Sequence, residues 1–148
     1  MILIRHAESQ ANVGNTDVEN CLTEKGISQA KELAKRLLDD RFDQIFCSPA
    51  KRCVQTLDEL IKGHGEAMGI SLSRLLSPKK KGEQYEELQK RIRRFVEDLK
   101  VEFENETVVV VSHQLVIGMF LYELTGKTEL LANGEVKTAE VQSDKSLN

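Results

Sequence analysis

Two short aliphatic runs constrain this chain more than any other feature. Ile2-Leu3-Ile4 stops at Arg5-His6, and Thr107-Val108-Val109-Val110-Val111 stops at Ser112-His113. A run with no polar alternation has no side to turn toward water, so it reads as a strand buried on both faces, as in a parallel sheet. In open α/β sheets, ligands bind beyond the carboxyl ends of the strands. Each run therefore delivers an imidazole to the edge where such folds do chemistry, and the first delivers a guanidinium beside it.

The rest of the chain alternates between the two periods. After a polar loop over residues 7–21, with room for one helical turn, Thr23 reads as an N-cap. Ile27, Ala30, Leu33, Ala34, Leu37 and Leu38 then form a helical stripe. Residues 42–47 predict a second strand. It ends at Ser48-Pro49, where Ser48 can cap and Pro49 can open the next helix, with Val54, Leu57, Leu60 and Ile61 on one face. That helix ends near Gly63-His64-Gly65. Residues 69–77 read as a short strand, 78–82 as a basic loop, 83–103 as the longest helix, and 116–125 as an apolar helix closed by Gly126. Residues 135–141 predict a last strand, and the polar tail 142–148 is expected to fray. The alternation predicts a single domain over residues 1–148 of class α/β, a three-layer α/β/α arrangement with a mostly parallel central sheet.

Composition excludes several function classes. A net charge of −3 provides no bulk field for nucleic acid or an anionic membrane. Aromatic residues make up 5% and Trp is absent, so stacking platforms for single strands are not expected. No apolar run approaches the ~18 residues of a membrane span. Cys21, Cys47 and Cys53 have no C-x-x-C spacing, and no signal-peptide pattern precedes the first strand. Reduced thiols in a cytoplasmic protein are the expectation. No sustained heptad points to an oligomeric state.

Four residues recur at strand-to-helix junctions: Arg5, His6, Arg52 and His113. Helix N-terminal amides at such junctions bind anions, and two guanidiniums suit a phosphoryl dianion because Arg meets it bidentately. A neutral imidazole beside that group is a competent nucleophile, and neighbouring cations disfavour its protonation. A second imidazole can donate to a non-bridging oxygen as charge develops. The scheme needs neither metal nor cofactor.

At these residues the chain resembles the histidine phosphatase superfamily, whose fold is phosphoglycerate-mutase-like. The Arg-His-Gly-Glu-Thr/Ser signature reads here Arg5-His6-Ala7-Glu8-Ser9, with Asn12 at the usual offset. Leu22-Thr23-Glu24-Lys25-Gly26-Ile27-Ser28-Gln29-Ala30 matches a second motif, and Ser48-Pro49-Ala50-Lys51-Arg52-Cys53-Val54-Gln55-Thr56 a third. The strand ending in Ser112-His113-Gln114, the helix opening Gly82-Glu83-Gln84-Tyr85 and the late Asn133-Gly134-Glu135-Val136 follow in collinear order. The resemblance implies that His6 is the nucleophile that becomes phosphohistidine, with Arg5, Arg52 and His113 forming the phosphate pocket. Ser9 and Asn12 are implied to contact phosphate or leaving group. Gln114 stands where Gly is usual, with a backbone amide that can face the phosphate.

Two departures shape the expected function. Ala7 replaces Gly, which the turn tolerates if φ is not positive. Ser77 falls where most members carry the Glu that protonates the leaving oxygen, and the insert that usually follows is missing. Losing a general acid costs ~10²–10⁴-fold, and little when the leaving group is already good. The compact members that act on phosphohistidine in signalling proteins lack both features. Glu8 and Glu83 are the candidate substitutes for the acid.

The resemblance thus implies a metal-independent phosphatase acting on a phosphorylated small molecule or phosphoprotein, phosphohistidine proteins foremost. The alternatives are a sugar or nucleotide phosphatase or mutase-like enzyme, and a phosphate-binding module without turnover. His64 reads as a solvent-exposed loop residue, Lys79-Lys80-Lys81 as a solvated run or a recruiter of an acidic partner, and Cys47 and Cys53 as core.

Overall fold

A computed structural model of the chain describes residues 1–16, 19–64 and 68–141. The polar tail 142–148 and Gly65 lie outside the described residues. In chain order the elements are β1 (Ile2–Arg5), α1 (Glu24–Arg36), β2 (Gln44–Cys47), α2 (Lys51–Ile61), β3 (Gly69–Leu72), α3 (Tyr85–Glu102), β4 (Val108–Ser112), α4 (Gln114–Thr125) and β5 (Val136–Thr138). Short 3-10 turns cover Gln10–Val13 and Arg74–Leu76. The strands form one sheet in the order β3-β2-β4-β1-β5, parallel except for β5, which runs antiparallel to β1.

The valine run explains the layering. β4 is buried along its whole length, and its side chains alternate between two cores because a strand has a period of two. Val108 and Val110 join Leu3 in a cluster with Leu88, Ile92 and Phe95 of α3 and Ile117 and Phe120 of α4. Val109 and Val111 join Ile2, Ile4 and Ile45 in a second cluster with Leu33 of α1 and Leu57 and Leu60 of α2. Helices therefore cover both faces of a mostly parallel sheet, the α/β/α architecture the sequence predicts.

Several boundaries differ from expectation. The segment 69–77 is not one strand: β3 is an exposed edge strand that stops at Leu72. The Ser73 hydroxyl and carbonyl then accept from the amides of Leu75 and Leu76 and turn the chain. α2 begins after Ala50 and not at Ser48-Pro49, with no side-chain cap, because Ser48 Oγ is engaged by His113. α4 begins two residues early, at Gln114, and β5 is shorter than residues 135–141. Thr23 does cap α1, accepting from the Gly26 amide at 3.0 Å. Gly26 is required there, since a Cβ would collide with the carbonyl of Glu8.

Candidate active site

The register of the sheet builds the site. Arg5 lies opposite Ser112 in the β1–β4 ladder, so the next residues, His6 and His113, leave the sheet at the same level. Their ring centroids are 5.4 Å apart with planes at 67°. Both rings are nearly buried, with 4% and 6% exposure.

His6 is held by backbone. Its amide donates to the Ser112 carbonyl at 3.0 Å, and ring Nδ1 lies 2.7 Å from the Ala7 carbonyl oxygen. A carbonyl only accepts, so Nδ1 carries the proton and Nε2 keeps its lone pair. Burial pushes the ring's pKa down from 6.5 to about 4. The Ala7 carbonyl opposes that shift, and Arg52 and Arg5 add to it. At neutral pH the ring is uncharged, with a nucleophilic nitrogen unengaged.

His113 is oriented from both sides. Its Nδ1 is 3.1 Å from Arg52 Nη2, and arginine only donates, so Nδ1 is the acceptor. The ring proton then sits on Nε2, 2.9 Å from Ser48 Oγ. Burial first, then Arg52, His6, Arg5 and Arg91, push this pKa down to about 3.

Arg5 Nη1 donates to the Leu131 carbonyl at 3.0 Å, and its Nε is buried with no partner among the described residues. A buried unpaired N–H on a cation costs free energy that an oxyanion would recover. α2 ties the loop to the site: Thr56 Oγ1 accepts from the Ala7 amide (3.1 Å) and donates to the Arg52 carbonyl (2.8 Å). Ala7 is fully buried, and Asn105 is the one non-glycine residue of positive φ among the described residues. Alanine therefore replaces glycine in this turn without strain.

Ser9 and Asn12 engage each other. The Asn12 Oδ1 accepts from the Ser9 amide (2.9 Å), the Ser9 hydroxyl (2.9 Å) and Asn133 Nδ2 (3.1 Å). The buried Ser9 is thus a brace, and Asn12 has its NH2 end to offer a ligand. Gln114 turns its side chain to the Leu131 carbonyl at 3.1 Å, the carbonyl that Arg5 also uses. Its amide lies in the first turn of α4, where N–H groups lack helical partners and favour anions.

Neither candidate acid is free. Glu83 forms a bidentate pair with Arg91, both contacts at 2.9 Å. That pairing, with the Lys80 amide, holds its carboxyl down at about 2 against burial. Glu83 is therefore ionised at neutral pH and has no proton to give. Glu8 accepts from Thr23 Oγ1 at 2.9 Å, with Lys25 Nζ at 3.8 Å, at the start of α1. Ser77 lies in the segment fastened to the end of β4 by the Ser112 hydroxyl, which donates to the Leu76 carbonyl at 2.7 Å.

His64 is not a free loop residue. It is half-buried, stacks on Phe42 at 4.1 Å and places its two ring nitrogens 3.2 Å from the carbonyls of Leu60 and Asp40. It clamps the end of α2 to the chain before β2. Cys47 and Cys53 are wholly buried, and burial pushes both thiols up, Cys53 to about 12. Such thiols are inert as nucleophiles. Among the described residues no cluster of three or more His, Cys, Asp or Glu side chains is arranged to hold a metal.

Sequence reasoning missed Arg91, because a mid-helix arginine carries no local signal, and it misassigned Ser48. The Ser48-Pro49 pair at a strand end was legible, but its partner lies 65 residues away.

β1 thus ends at Arg5 with His6 directly after it, β4 delivers a second imidazole at His113 and α2 carries Arg52 to the same edge of the sheet. Residues 1–76 and 71–143 match the Histidine phosphatase superfamily (branch 1); the chain belongs to this family and is a phosphatase. It is 31% identical over 147 residues to phosphoserine phosphatase 1 of Hydrogenobacter thermophilus, covering 76% of this chain and 70% of that one. Among solved structures, the alpha-ribazole phosphatase of Shigella flexneri matches with TM-score 0.76 at 22% identity, over 91% of this chain and 87% of that chain. SixA of Agrobacterium tumefaciens, named as a phosphohistidine phosphatase, matches with TM-score 0.65 at 23% identity, over 84% and 75%. At these identities the two structures speak for the fold. No helix among the described residues is long and apolar enough to cross a membrane.

Proposed function

We propose that this phosphatase works through a phosphohistidine on His6 and favours substrates whose leaving group departs without acid assistance, phosphohistidine proteins above all. Arg5, Arg52, His113 and the first amides of α4 hold the phosphoryl group, with the Asn12 amide at its rim. Nε2 of His6 attacks phosphorus in line, the bond to the leaving group breaks, and water then hydrolyses the enzyme adduct. The observation that carries this reading is the asymmetry of protonation. His6 is neutral with Nε2 unengaged, whereas the carboxylate nearest the family's acid position in sequence, Glu83, is locked ionised by Arg91. A site with a ready nucleophile and with Glu83 unable to give a proton discriminates by leaving group, and a missing acid is worth ~10²–10⁴-fold on poor ones.

A second reading has its own support. The 31% relative is named a phosphoserine phosphatase, which favours a small phosphomonoester. A panel of a phosphohistidine protein, p-nitrophenyl phosphate and O-phosphoserine separates the two. The expected order is phosphohistidine protein well above p-nitrophenyl phosphate, with O-phosphoserine slowest and EDTA without effect. Fastest turnover of O-phosphoserine would reverse the assignment, and binding without turnover of any would leave a phosphate-binding module.

A further inference from the structure

Ser48 has no part in that scheme, yet it is wholly buried and its hydroxyl meets the second imidazole. Its Oγ lies 2.9 Å from His113 Nε2 and accepts the Ala50 amide at 3.3 Å, while Cys53 Sγ is 3.7 Å from the same ring nitrogen. On the other side of the ring, Nδ1 accepts from Arg52. His113 therefore offers Arg52 a lone pair and not a proton. When a phosphoryl dianion takes over Arg52, Nδ1 is left facing an anionic oxygen. That contact becomes a hydrogen bond only with a proton between them.

We infer that Ser48 holds the Nε2–H of His113 while Nδ1 takes up a proton as the phosphoryl group binds, so that an imidazolium meets the phosphoryl oxygen before charge develops there. The inference rests on the reading of Arg5, His6, Arg52 and His113 as the phosphate pocket. The groups facing the ring are Arg52 and Cys53 from α2, Ser48 from the turn before it, Arg5 and His6 from the end of β1, and Arg91 from α3. Burial first, and then the guanidiniums, disfavour an imidazolium here, and the charge of a bound dianion opposes both. In the transfer step the bond from His6 Nε2 to phosphorus forms and the bond from phosphorus to the leaving atom breaks. The leaving atom keeps the electron pair of the broken bond and takes its proton from solvent, while the Nδ1 proton stays against the phosphoryl oxygen and is given up when phosphate leaves. Ser48 acts through His113 and is a positioning residue.

The test needs no turnover. Inorganic phosphate is titrated calorimetrically into the unmodified chain at about pH 8, above the second ionisation of inorganic phosphate, so that the dianion predominates. Two buffers of different ionisation enthalpy report the protons exchanged. The expected result is uptake of about one proton per phosphate bound. Nitrogen NMR of His113 should show Nε2 alone protonated in the free chain and both ring nitrogens protonated in the complex. Ser48→Ala should lose most of the uptake, and Ser48→Thr, which keeps the hydroxyl, should restore it. Phosphate binding without proton uptake, or with the proton merely moved from Nε2 to Nδ1, overturns the inference and leaves the pocket standing. Full uptake in Ser48→Ala removes Ser48 from the mechanism. Failure of phosphate to bind at all overturns the pocket reading and this inference with it.

Discussion

Around His6 the polar contacts are made largely by backbone, with Asn133 adding one side-chain donor, whereas the 73–84 segment beside the end of β4 is held by one guanidinium and the Ser112 hydroxyl. The His6 amide bonds the Ser112 carbonyl, its ring the Ala7 carbonyl, and its own carbonyl the Gly134 amide. Thr56 pins the loop from behind. The other segment has Arg91, which donates to the carbonyls of Leu75, Ser77 and Pro78 and to both oxygens of Glu83. One region is fixed by backbone in the sheet's own register, and its side chains stay available for chemistry. The other is fixed by side chains, and its carboxylate is consumed by the fixing. The groups around His6 are thus held in place, while the Glu83 carboxylate is taken up by Arg91.

The largest effect should come from the first region. His6→Ala is expected to lower turnover of p-nitrophenyl phosphate by at least about a thousandfold, the scale on which covalent nucleophiles count. The cooperative thermal transition should remain. Turnover within tenfold of the parent would break the phosphohistidine scheme. Next, Arg52→Lys should cost about a hundredfold in kcat/KM, because an ammonium cannot reproduce a planar fork or hold His113 Nδ1 at the same time. If lysine serves as well as arginine, phosphate is not gripped bidentately there.

The two regions should also titrate apart. His6 and His113 have folded pKa values of about 4 and about 3 against 6.5. The unfolded chain therefore binds protons that the folded chain refuses once pH drops below 6.5. Their contribution is fully present above 6.5 and is lost as pH falls through the folded values. Glu83, depressed from 4.5 to about 2, gives stability that is present above 4.5 and lost as pH falls toward about 2. Denaturant midpoints measured between pH 7 and pH 5 should fall in the parent chain. A His6→Asn/His113→Asn double variant should flatten that slope. A slope that survives the double variant would place the responsible groups elsewhere. In the proposed scheme the neutral form of His6 attacks, so kcat/KM should be insensitive to its titration near neutrality and should drop as pH falls through about 4.

What the sequence reveals about this molecule follows the same division. The β1 and β4 runs could be read because burial on both faces forbids polar residues, and the sheet register then sets His6 beside His113 without further information. Arg52 could be read from its fixed offset after Ser48. The 73–84 segment could not, because the edge strand before it, β3, is exposed along its whole length and has no burial pattern to mark where the strand stops. Its organiser, Arg91, also lies eight residues beyond Glu83, on a helix whose polar positions all look alike. Ser48 misled for a related reason: a Ser-Pro pair after a strand is a fair capping signal, and nothing local says that the hydroxyl is taken by a histidine 65 residues away.

The smallest expected effect on activity tests the second region directly. Glu83→Gln keeps an oxygen that can accept from Arg91 and the Lys80 amide but removes the charge. With the two side chains only 14% and 11% exposed, stability should fall by roughly 1 kcal/mol, since the guanidinium loses its ion pair and keeps its hydrogen bonds. Turnover of O-phosphoserine, whose alkoxide most needs a proton, should stay within about threefold of the parent, because a carboxylate held ionised cannot be the donor. Glu8→Gln should behave likewise in turnover, as that carboxylate accepts from Thr23 at the start of α1. A hundredfold loss on O-phosphoserine in either variant, with p-nitrophenyl phosphate spared, would mark that residue as the acid. It would also erase the contrast between the two sides of the pocket, since a leaving-group donor would then sit opposite His6.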